Sequence, residues 1–135
     1  MNKLQISYIK ENEVASNKFM SILKGVGYDV IFSNEEIDEN RVDLLIFYKG
    51  INKDKMLKEI KWLAKQNERS SIKYLRLFPI FLFDKEEDIE KDIDTYVYAF
   101  DDFISGEFKP YGFVLSKPNK YIVEFNKILE ESYSE

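Results

Sequence analysis

The 135-residue chain has no cysteine and no histidine. Without cysteine there is no disulfide, no thiolate nucleophile and no thiolate metal site. Without histidine the Ser-His-Asp and Cys-His schemes fall away, together with imidazole acid–base chemistry and imidazole metal sites. Any catalysis therefore rests on carboxylates, lysine or tyrosine. Glycines number only five, and no glycine-rich loop follows the first apolar stretch, so the motif for a flavin or dinucleotide cofactor is absent and none is expected. A basic stripe is also missing. Lysines are spread among acids and the net charge is −5, which argues against direct nucleic-acid binding. The N-terminus carries no apolar signal run and no segment is long enough to span a bilayer. The expectation is a cytoplasmic protein with no membrane partner.

What is present is the composition of a folded domain. Apolar residues make up 44% and charged residues 33%, with eleven Phe and nine Tyr. A chain of this length suits one domain, residues 1–135, with a proper core. One stretch organises the rest: Val42-Asp-Leu-Leu-Ile-Phe-Tyr-Lys-Gly50. It is short, apolar, almost unbroken and stopped by glycine. Such a run suits a strand covered on both faces at the centre of a parallel sheet. In open α/β sheets, ligands and chemistry lie just beyond the carboxyl ends of the strands. Tyr48, near the end of this run, is thus the first residue whose role has to be explained.

The remainder alternates strand and helix. Leu4 to Ile9 reads as the first strand, and Glu11-Asn12 opens a helix with Asn12 as its N-cap. Val14, Phe19, Ile22, Leu23 and Val26 form its apolar stripe, and Gly25 and Gly27 end it. Tyr28 to Phe32 is the second strand. Ser33 to Arg41 is polar and holds one or two helical turns at most. After the central strand, Asn52 or Asp54 caps a helix with Met56, Leu57, Ile60, Leu63 and Ala64 inward. Leu75 to Phe83 is the fourth strand, with Pro79 expected at its start because proline has no amide proton for a ladder. A helix follows over the acidic residues 84–94 into Tyr96-Val-Tyr-Ala-Phe100, and Asp101 to Tyr111 reads as an insertion. Tyr111 to Ser116 is the last strand, and Asn119 to Glu131 a closing helix. This order predicts an α/β fold: a five-stranded parallel sheet, order 2-1-3-4-5, between two helical layers.

Four segments carry a resemblance. They are Glu11 through Gly27-Tyr-Asp-Val30, Asp43-Leu-Leu-Ile-Phe-Tyr48, Pro79-Ile-Phe-Leu-Phe-Asp84, and Leu115-Ser-Lys-Pro118 with its amphipathic helix. In order and spacing they resemble the receiver domain of bacterial response regulators, a flavodoxin-like fold. That resemblance implies an acid pair for Mg²⁺ after the first strand, a phosphoryl-accepting aspartate ending the third, a hydroxyl residue ending the fourth and a Lys-Pro after the fifth. Position by position, the acid pair is Lys10-Glu11, the acceptor is Tyr48, the hydroxyl position is Phe83 or Asp84, and the lysine is Lys117, with Lys109-Pro110 competing. A tyrosine forms no acyl phosphate, and one carboxylate beside a lysine is a poor host for octahedral Mg²⁺. The implied protein is a degenerate, phosphorylation-independent receiver without a metal. It acts in signalling or transcription control through protein partners, with self-association over its fourth helix, fifth strand and fifth helix as one route. Lys117 is expected to pair with Glu11 across the end of the sheet.

A second resemblance starts from Ile6-Ser-Tyr8, Lys10-Glu11 and Gly27-Tyr-Asp-Val30. These are similar to the opening of TIR domains, some of which cleave NAD with a glutamate after the third strand. Glu59 stands in about that place, where a carboxylate would stabilise a cationic ribosyl transition state. A third reading is an inhibitor or immunity factor on the same scaffold, since fold does not fix function. Each candidate also has a plain structural reading. Tyr48 suits a core edge, Glu11 suits a helix start, Lys117 suits an exposed loop, and Glu86-Glu-Asp88 with Glu90 suits a solvated helix face.

Overall fold

The computed structural model describes residues 3–33, 38, 40–48, 58, 76–90 and 111–133. Five strands form one sheet: β1 (Lys3–Ser7), β2 (Asp29–Phe32), β3 (Val42–Tyr48), β4 (Arg76–Phe83) and β5 (Tyr111–Val114). The order is β2-β1-β3-β4-β5 and every pairing is parallel. This is the α/β, flavodoxin-like arrangement that the alternation of apolar runs predicts. β3 takes the centre because Val42 to Phe47 are all buried, so both of its faces need cover and both of its edges need partners. Of the helix expected after β3, only residue 58 is described, and it is helical; the insertion at 101–110 lies outside the described residues. Of the acidic segment expected to be helical from residue 84, residues 84–90 are described: 84–86 form a bend and turn, and 87–90 are helical.

Strand geometry sends alternate side chains to opposite faces. One face presents Leu4, Ile6, Val42, Leu44, Ile46, Phe78, Ile80, Leu82 and Phe113. Two helices cover it: α1 (Glu13–Gly25), with Ala15, Phe19, Met20 and Leu23 inward, and α2 (Pro118–Tyr133), with Ile122, Phe125 and Leu129 inward. Phe125 is the hub of this layer. Its ring stacks on Phe78 at 5.6 Å and meets Phe19, Tyr28 and Phe113 edge-on at 5.9, 5.9 and 6.4 Å. The opposite face buries Leu45, Phe47, Phe81, Phe83 and Val114 toward β5, but Gln5, Ser7 and Asp43 toward β1. Gly112 lies on this side, where an added Cβ would come within 3.1 Å of the Phe83 ring and 3.7 Å of Ile89. The start of the acidic helix therefore packs here.

Two expectations about element ends need correction. Asn12 precedes α1 but makes no side-chain cap bond; residues Lys10–Asn12 instead form a 3-10 turn, closed by Asn12 N–H to the Ile9 carbonyl at 2.9 Å. The other end is as expected. Gly27 has φ of 100°, and its amide reaches Lys24 while that of Tyr28 reaches Leu23, which satisfies two orphan carbonyls. Pro79 is not at the start of its strand. It lies mid-strand opposite Leu45. The physical condition still holds. The Phe83 carbonyl accepts from Leu115, so the odd-numbered groups of β4 point toward β5. Among the described residues, pairing with β5 starts at Ile80–Tyr111, so none of them stands as a ladder partner to the amide that Pro79 lacks.

Truncating Phe125 to Ala removes the ring that joins both helices to the sheet. The expected cost is about 3–5 kcal/mol in urea unfolding, at the upper end of core truncations because four ring contacts go with it. The isolated surface change Val123→Ala, at a residue 67% exposed, is expected to move stability by less than about 0.5 kcal/mol.

Candidate functional site

The parallel sheet brings every strand's carboxyl end to one rim, and the receiver-like positions meet there only in part. Tyr48 is the last residue of β3 and half-buried. Its hydroxyl donates to Asp84 Oδ2 at 2.8 Å, joining the end of β3 to the turn after β4. Burial, then the Asp84 carboxylate, pushes the phenol up to about 12, so its oxygen stays protonated and weakly nucleophilic. Lys10 and Glu11 occupy the 3-10 turn after β1, which lies beside β3, and both are exposed.

Lys117 does not reach Glu11. Its ammonium is bound to Glu86, which stands two residues past Asp84. The same carboxylate accepts from Lys120 Nζ at 2.7 Å and from the Tyr121 hydroxyl at 2.9 Å. Two cations and a phenol from the first turn of α2 and the residue before it thus converge on one acid from the β4 side. Lys117, then Lys120 and Tyr121, hold the Glu86 carboxyl down at about 2. Its place at the start of an acidic run suggests an ordinary solvated face. The fold instead brings Glu86 opposite the α2 start, because β4 and β5 are adjacent and both leave the sheet at this rim.

A second polar group was not legible as a site. Asp43 is 3% exposed, inside the most apolar strand of the protein. Ser7 Oγ donates to Asp43 Oδ1 at 2.8 Å and also touches the Ser33 hydroxyl. Gln5, directly opposite Asp43 in register and fully buried, accepts from the Asp38 amide at 3.0 Å. Among the described residues no cation pairs with Asp43. Burial pushes its carboxyl up to about 7, against the opposing pull of the Ser7 bond. The signal in the sequence is a single charge inside an otherwise unbroken apolar run.

Glu59 of the TIR-like reading lies outside the described residues. No group of three or more acidic side chains gathers in a metal-binding arrangement among the described residues. Among them, too, no helix is long and apolar enough to cross a membrane. No protein-family model matches the chain, and no curated protein matches it.

Two outcomes follow from these geometries. Replacing Asp84 with Asn removes the charge and the acceptor preference that raise Tyr48, but not its burial. In an absorbance titration the Tyr48 phenol then moves down from about 12 toward the ordinary tyrosine value without reaching it. Asp43 gives a pH dependence of stability. Its folded pKa lies above the unfolded value, so its contribution is fully present below about pH 4 and is lost as pH rises to about 7. Relative to Asp43→Asn, wild-type stability is expected to fall by on the order of 4 kcal/mol across that window, measured by urea unfolding at each pH.

Proposed function

We propose that the chain is a phosphorylation-independent, receiver-like regulatory module that works through protein contacts in signalling or transcription control, in the cytoplasm. The observation that carries this reading is the Tyr48–Asp84 hydrogen bond at the carboxyl end of the central strand. A phosphoryl acceptor at this place has to be an ionised carboxylate, able to form an acyl phosphate. The phenol here is neutral, held by its neighbour, and unable to make that linkage. The lysine that would steady a phosphoryl group is already engaged by Glu86. Both features favour a rim held in one arrangement by its own side chains over one that awaits a covalent mark. Partners are then proteins, a second copy among them. Among the described strands β5 lies at the edge, and the face proposed for self-association is that of the fourth helix, β5 and α2.

Treatment with a small-molecule phosphodonor, followed by intact mass measurement, is expected to leave the mass unchanged with and without Mg²⁺. Sedimentation before and after treatment is expected to give the same distribution. One acid-labile phosphate per chain would overturn the reading. So would NAD cleavage by the wild type that is lost in Glu59→Ala, which would favour the TIR-like alternative.

A further inference from the structure

We draw no further inference here: the strongest candidate, the polar side-chain cluster of Ser7 on β1, Ser33 after β2 and the buried Asp43 on β3, carries nothing because no described residue shows what covers it.

Discussion

Everything in this fold depends on burying β3 on both faces. Six consecutive residues, Val42 to Phe47, are shielded from water. A strand so covered has no polar edge to spare, and it gains partners on both sides, β1 and β4. Once β3 is central, the rest is constrained. Parallel pairing requires crossovers, crossovers place α1 and α2 on one face, and the carboxyl ends of all strands gather at one rim. Tyr48 and Asp84 meet because their strands are neighbours in register, with Tyr48 opposite Leu82.

The rim illustrates how side chains replace a ligand. Asp84 takes the Tyr48 hydroxyl, and Glu86 takes Lys117, Lys120 and Tyr121. The acids come from the turn after β4, and the donors come from β3 and from the start of α2. Two carboxylates in one short turn thus tie three elements together. Exposed pairs of this kind contribute little individually to stability. Their effect is on conformation, since each bond names one position for the turn. A rim fixed from within has less need of a bound ion or a covalent group to define its shape, and that is the physical basis of the proposed mode of action.

Periodicity made the strands, the existence of α1 and α2 and the sheet order legible, but of the stripe expected for α1, Val14 and Val26 are exposed, while Ala15 and Met20 are buried instead. Apolar runs such as Val42 to Phe47 and Leu75 to Phe83 have few alternatives, and spacing in α2 marks Tyr121, Ile122, Phe125, Ile128 and Leu129 inward, of which Ile122, Phe125 and Leu129 are buried and Tyr121 and Ile128 half-buried against the core. Pairwise partners were not legible. Lys117 reads as the family's lysine from Lys117-Pro118, but its carboxylate is Glu86, because which acid it meets depends on how far the turn after β4 reaches. Glu86 lies in an acidic run that by pattern alone looks solvated. Pro79 was expected at the start of its strand and lies in its middle, because the rule for proline asks whether its amide faces a partner, and that depends on the neighbouring strand rather than on the proline's own neighbours in sequence. Asn12 was read as a cap from its residue type, whereas the 3-10 turn from Lys10 leaves its side chain buried instead.

The short segment from Ser33 to Arg41 links the two halves of the polar problem. A connection of this length has room for one or two helical turns at most. Close to it lies a polar group: Gln5 and Ser7 on β1, Ser33 after β2, Asp43 on β3. Polar side chains there satisfy the backbone of the connection, as Gln5 does for Asp38. A buried amide network of that kind does not demand an acid, and Asn at position 43 would fill the same space with a fixed donor. Asp43 differs from Asn in lacking that donor and in its capacity to change charge, and it carries that capacity 3% exposed inside the central strand. That contrast is the reason to regard position 43 as more than a filler of the β3 run.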